Sequence, residues 1–572
     1  MEGRGGCWVL HGFEMVVVVV VEALVAGVDE KGVEEGDRLR AEAAHSRRRE
    51  EEGEKRARRS APSPRIEAES RVGKGRCERA ATMADVLEED AQSIGRDHII
   101  KEVKKQLSLS GPLIVASLLD KLILVISLSF VGHLGELPLS GASMATSFAA
   151  VTGLSVLSGM GTALDTLCGQ AFGAEKYHLL GIYLQRAMII TTVVSIPLAF
   201  IWAFTGEILK VIGQDKEISI AAEPYARCMI PILFAYGLLQ SHYRFLQAQN
   251  IAFPMMLTSG FTVLAHIFTC WILMVKCKIG YIGAAIANTI SYCISLTLIA
   301  VYVRLSPRCK DTWTGFSREA LHDLSSFVKL AIPSALMICL EFWSFEVLVL
   351  LAGFLPNPKL ETSILAICLN TITLAYMIPF GIGASVSTRV SNELGAGHPR
   401  NACLAICIAE IIAITEGTIV GSTLILGHHI WSKVYSNDTE VVKYVARMMP
   451  LLALSHFIDA TQCVLIGTVQ GCGRQKLGVA VNLGAFYMVG LPCSVVLAFL
   501  LHLKGKGLWL GVICGISVQV LFLLIMALST NWGKEAKKAR NRVNNSIIPV
   551  ETVTAENDSI SSTEELRLHD HS

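Results

Sequence analysis

The stretch LAIPSALMICLEFWSFEVLVLLAGFL, residues 330–355, decides how the rest of the chain is read. It is long enough to cross a bilayer as a helix, which takes about 20 apolar residues. Two acids, Glu341 and Glu346, interrupt it. A carboxylate near the middle of such a helix costs about 2.5–3.5 kcal/mol to insert. Chains that keep one use it for a proton, an ion or a cationic ligand. On a helix with 3.6 residues per turn, two residues five apart point about 140° away from each other. Glu341 and Glu346 therefore do not form one pair on one face. Glu341 shares its face with Met337 and Phe345, with Trp343 partly to the side.

The same kind of segment recurs along the chain. Of its 572 residues 52% are hydrophobic and only 17% are charged, a composition that points to membrane spans. Twelve spans are expected, near 108–131, 142–166, 181–204, 219–240, 254–275, 281–303, 328–354, 361–384, 402–426, 443–468, 478–500 and 507–529. The apolar runs are continuous rather than alternating, so a β-barrel is excluded and the fold class is all-α. Net charge is +1, which leaves no basic excess for nucleic acid. The 16 cysteines lie scattered in apolar segments, as at Cys168, Cys228, Cys339, Cys368 and Cys514, and read as packing residues. No metal site, cofactor motif, Walker sequence or catalytic constellation is evident.

Residues 1–96 differ from the rest of the chain. They are rich in Glu, Arg, Gly and Ala and read as a disordered extension. The apolar run from Met15 to Val28 is too short to span and is broken by Glu22; Met83 is a plausible alternative start. The expected organisation is a lobe over 97–303, an amphipathic connecting loop over 304–327, a second lobe over 328–530 and a tail over 531–572.

Basic residues set the expected orientation. Loops after even-numbered spans hold Lys176, Arg244, Arg304, Arg308, Lys310, Arg318, Arg389, Arg400, Arg474 and Lys476, and the tail adds five more between Lys534 and Arg542. The other loops hold fewer. The positive-inside rule then puts both termini in the cytoplasm. The sequon Asn437-Asp438-Thr439 falls on the opposite side.

The two halves repeat. Pro112 and Pro333 open matching segments in which Asp120 and Glu341 coincide; 167–174 matches 389–396, and 225–231 resembles 445–450. Counting on from Pro231 and Pro450 sets Gln240 opposite Asp459. Each half has an even number of spans, so the halves share one orientation. Such halves are related by an axis along the membrane normal, with a site expected between them.

Four intramembrane acids stand out: Asp120, Glu341, Glu346 and Asp459. For each, proton or cation handling competes with a structural hydrogen bond between helices. Asp120 is followed by Lys121, so local charge neutralisation competes there too. Glu410 and Glu416 in the ninth span are harder to place. Gln170, Gln240, Asn370, Tyr376 and Asn392 are candidates to line a cavity, against a plain role between helices. Phe342, Trp343 and Phe345 can stack on a planar or cationic ligand, or simply pack. Pro231, Pro333, Pro379, Pro450 and Pro492 are expected to bend their helices.

At 163–174 and 387–397 the chain resembles the two signature regions of the MATE (multidrug and toxic compound extrusion) family. The segments 340–346 and 355–362 are similar to the seventh-span region of its plant DETOXIFICATION members. The resemblance runs from about 105 to 530. It implies two six-helix lobes working by alternating access, in a monomer. It also implies proton-coupled antiport of cationic or polyphenolic organic compounds out of the cytosol, at the vacuolar or plasma membrane. Glu341 and Asp459 are then the expected coupling and binding residues. Trp343, Glu346, Gln240, Asn370, Tyr376 and Asp120 join them as candidate substrate contacts. Three positions depart from the pattern: Asp165 replaces the commoner Glu, Asp120 a neutral Gln, and Ser127 the first-span Asp of many bacterial members. The last makes a bacterial type of N-lobe coupling doubtful. The alternatives are a proton-independent facilitator of another two-lobed type, a non-transporting receptor and a membrane-embedded enzyme. The enzyme needs clustered His or Asp at one membrane face, which is not evident.

Overall fold

The computed structural model describes residues 96–435 and 439–546. The extension up to residue 95 with its alternative start at Met83, Asn437 and Asp438 of the sequon, and the tail beyond 546 lie outside them. Twelve described helices are long and apolar enough to span: α1 Asp97–Gly132, α2 Glu136–Gly173, α3 Tyr177–Ala203, α4 Lys216–Ala248, α5 Phe253–Lys276, α6 Ile282–Leu305, α7 Leu324–Ala352, α8 Pro358–Ala396, α9 Pro399–Leu426, α10 Thr439–Cys472, α11 Gln475–Leu500 and α12 Lys504–Ser529. A further helix, α13, covers Trp532–Asn545. In lipid a backbone must satisfy its own polar groups, and the helix does so for every residue.

The expected spans all appear, and several run one to three turns further. α8 ends at Ala396 rather than 384, and α4 at Ala248 rather than 240. The extra turns carry polar and charged side chains that are buried, so the apolar run alone underestimates them. Arg244 and Arg389 lie in these turns, inside helices and not in loops as the charge pattern had suggested. Both are buried in ion pairs, which removes them from the count of solvent-facing cations.

Ends and irregularities have local causes. The Asp215 carboxylate caps α4, accepting from the backbone N–H of Glu217 and Ile218 at 2.9 and 3.1 Å. Pro358 opens α8, and Gly397 closes it with φ 81°. Pro112, Pro197, Pro224, Pro231, Pro333, Pro379 and Pro450 sit inside spans. A π-helical turn, Ala150–Leu154, interrupts α2, and two more, Leu483–Gly490 and Val496–Leu500, interrupt α11 around Pro492.

Helices α1–α6 form one lobe and α7–α12 the other. Each lobe has a buried cluster near each membrane face. In the N-lobe one gathers around Leu180, Tyr183 and Phe245, the other around Trp202, Tyr225 and Ile232. In the C-lobe the corresponding pair centres on Val390, Leu394 and Cys403, and on Leu452, Trp509 and Val512. The connection after α6 is mostly irregular, with two short 3-10 turns, and docks on the N-lobe. Gln185 holds it there, donating to the Gly315 carbonyl at 2.9 Å and accepting from the Ser317 N–H at 2.8 Å.

Candidate functional site: a cavity between the lobes

The lobes meet through α1 with α8, and α2 with α7 and α8. Between them lies a cavity of about 310 Å³. Asp120 of α1, Tyr236 and Gln240 of α4, Tyr243 and Tyr292 line its N-lobe wall. Glu341 and Phe342 of α7, Tyr376 and Phe380 of α8, and Gln462 of α10 line the C-lobe wall.

Glu341 reaches this cavity because its helix passes the lobe interface with that face inward. The Gln462 side-chain amide donates to Glu341 Oε1 at 3.0 Å. Asp459, one turn earlier on α10, is 7% exposed and lies within electrostatic reach of Glu341, as does Tyr376. Helices α7, α8 and α10 of one lobe thus set Glu341, Tyr376 and Gln462 on the cavity wall, with Asp459 buried off it.

The remaining candidates separate. Asp120, Gln240 and Tyr376 line the cavity with Glu341. Trp343 does not; its Nε1 donates to the Val151 carbonyl at 3.0 Å, in the π-helical turn of α2. Of the three candidate aromatics on α7, the one on the cavity wall is its neighbour Phe342. Glu346 is half-buried away from the cavity, as the 140° offset requires, and Asn370, about three turns into α8, is exposed and does not line it. Gln170 and Asn392, candidate lining residues, belong instead to a contact between the lobes. Glu416 pairs with the fully buried His456 at 3.1 Å, between α9 and α10.

That contact shuts the end of the bundle that carries α13. Gln170 donates to the Gly471 carbonyl at 3.1 Å, and Asn392 to that of Ala248 at 3.2 Å. Gln247 donates to Ala384 O and Thr388 Oγ1, both at 3.1 Å. Arg389 pairs with Glu102 across the lobes, and Arg244, which lines the cavity, pairs with Asp165 at 3.1 Å. Here α2 and α8 touch backbone to backbone: a Cβ on Gly173 would overlap the Asn392 carbonyl, and one on Gly395 that of Gln170. Sequence reasoning missed this layer. Its signal was the presence of charged residues inside the two signature regions, but partners such as Glu102 and Arg389 are too far apart in the chain to be matched by spacing.

The MatE family model matches residues 112–272 and again 333–496. The chain belongs to the MatE family. The two matches begin at Pro112 and Pro333, the residues that open the internal repeat. Protein DETOXIFICATION 16 of Arabidopsis thaliana is 57% identical over 454 residues, 79% of this chain and 93% of that protein. Protein DETOXIFICATION 17 of the same plant is 51% identical over 461 residues, 81% of this chain and 96% of that one. The crystal structure of the eukaryotic MATE transporter AtDTX14 is similar at TM-score 0.76 and 43% identity, covering 78% of this chain and 99% of that chain. This MATE protein is therefore a multi-pass membrane protein of the multidrug and toxic compound efflux type. Its fold is the two-lobed one of twelve helices that the sequence led one to expect.

Proposed function

We propose that this protein exports small organic compounds from the cytosol in exchange for protons, by alternating access between its lobes. The observation that carries the reading is Glu341: a carboxylate on the cavity wall, bonded to Gln462 and backed by Asp459. When ionised it attracts a cationic or hydrogen-bond-donating substrate. When a proton arrives from the acidic side the charge disappears and the substrate leaves. Loss of the proton on the cytosolic side restores the site. A gradient of one pH unit supplies about 1.4 kcal/mol per proton, enough for roughly tenfold accumulation at one proton per substrate. Asp120, Gln240, Tyr376 and Phe342 shape the cavity for the substrate, with Lys121 and Arg244 also on its wall; a polyphenol, or a cation held at the acids, suits this mixture of acid, base, amide and aromatic side chains.

The shut end is read as cytosolic, because Lys176, Arg304, Arg308, Lys310, Arg400, Lys476 and the cations of α13 cluster there even without Arg244 and Arg389. Both termini are then cytosolic, in the vacuolar or plasma membrane, and one chain holds the whole cavity, so a monomer suffices. The test is proton-driven uptake by the full chain in proteoliposomes. Glu341→Gln is expected to abolish accumulation driven by a pH gradient, and any residual substrate exchange is expected to lose its dependence on pH. Full pH-driven accumulation by that variant would refute the assignment.

A further inference from the structure

The helix after the last span has no part in the cavity, yet it touches both lobes. Its first two turns lie on the C-lobe. Trp532, Ala536 and Ala539 are at most 5% exposed and pack in the cluster of Val390, Leu394 and Cys403. Its last turn lies on the N-lobe. Val543 is 2% exposed and packs in the cluster of Leu164, Leu167 and Leu180. Beside it Arg542 donates to Gln170 Oε1. The same guanidinium lies against Gly473, in the turn between α10 and α11; that glycine has φ 73°, and a Cβ there would lie 2.8 Å from Arg542 Nη1. Gln170 spends its amide N–H on Gly471 of the C-lobe. Both ends of that amide are therefore used in joining the lobes.

If the cavity is to open toward this end, α2 must part from α8 and α10, and α13 cannot remain on both sides. Its apolar side is seated over two turns on the C-lobe and over one on the N-lobe, so the N-lobe contact is the weaker. Leaving it returns the Arg542 charge to water, where it is well solvated, and exposes one valine.

We infer that α13 is a moving part of the inner gate: it rides with the C-lobe, and its last turn, through Arg542 on Gln170, bolts the closed state. The inference rests on the alternating-access reading but not on proton coupling. Substrate exchange without a pH gradient therefore tests it separately. Gln170→Cys/Arg542→Cys in proteoliposomes, joined by a reducible bis-maleimide, is expected to lose exchange at least tenfold and regain it on reduction. The unsubstituted chain and each single variant, given the same reagent, control for its own cysteines. Arg542→Ala is expected to lower the KM for substrate on the cytosolic side several-fold, since apparent affinity scales with the population of the open state. Val543→Ala reads out the same shift should Arg542→Ala not fold. Exchange at the unlinked rate by the cross-linked protein, or an unchanged KM in the folded variant, overturns the proposal. If Glu341→Gln also kept pH-driven accumulation, only the coupling reading would fall.

Discussion

Arg389 of α8 grips Glu102 of α1 with both arms of its guanidinium, Nε to Oε1 at 2.8 Å and Nη2 to Oε2 at 2.9 Å. The residues are 287 positions apart and belong to different lobes. Glu393, one turn along α8, takes a third bond from Arg389. The cluster is at most 12% exposed at each side chain. Arg389→Ala would leave two buried carboxylates facing each other. Breaking one side of a buried pair costs about 3–5 kcal/mol. The expected result is a clear drop in thermal unfolding temperature in detergent. Glu102→Gln leaves Arg389 paired with Glu393 and should cost visibly less. Equal losses for the two variants would show that the cross-lobe arm carries the whole effect and that the pair with Glu393 adds nothing.

Gly173 and Gly395 let α2 and α8 approach within backbone contact at the shut end. A methyl group at either has no flexible neighbour to displace, only peptide. Overpacking of this kind costs about 1–3 kcal/mol, and here it falls on the closed state alone. Gly395→Ala is expected to leave a folded protein whose pH-driven accumulation falls severalfold, because the inner gate no longer seals. The check is accumulation set beside the unfolding temperature. Lost accumulation with an unfolding temperature lowered as far as in Arg389→Ala would point to misfolding instead.

The spans were legible because lipid demands continuous apolar helices, and the repeat was legible because Pro112 and Pro333 start both copies. Glu341 was legible for a similar reason, since a carboxylate in an apolar helix has no innocuous place. What escaped was the contact that shuts the end of the bundle carrying α13. Asp165, Arg244, Glu102 and Arg389 look like ordinary charges near helix ends until their pairing is seen, and pairing across 79 or 287 residues leaves no spacing to read. Trp343 was misleading for another reason. An indole both stacks and donates, and only the carbonyl exposed by the π-helical turn of α2 decides for donation.

Phe342 and Trp343 are adjacent on α7 but face different tasks. Phe342→Ala removes an apolar wall of the cavity and is expected to raise substrate KM severalfold with little change in unfolding temperature. Trp343→Phe keeps the ring and loses the bond to Val151 O, worth about 0.5–1.5 kcal/mol. It should lower stability slightly and leave KM unchanged. Reversal of these two patterns in paired transport and melting assays would return Trp343 to the substrate site.

Two cysteines outside the spans offer a chemical test of topology. Cys309, in the connection after α6, is buried, and that burial pushes its thiol up to about 11. Cys277, just past the other end of α5, is exposed. The thiolate is the reactive form, so Cys309 is nearly inert at about pH 7.5 and its alkylation should accelerate as pH rises toward about 11. In sealed right-side-out vesicles a membrane-impermeant maleimide is expected to label Cys277 and spare Cys309. In inverted vesicles it should reach neither quickly near neutral pH, because Cys277 is then lumenal and Cys309 is protonated. Mass spectrometry of tryptic peptides gives the site of labelling. Rapid modification of Cys277 in inverted vesicles, with none in right-side-out ones, would reverse the proposed orientation and place the shut end of the cavity on the outside.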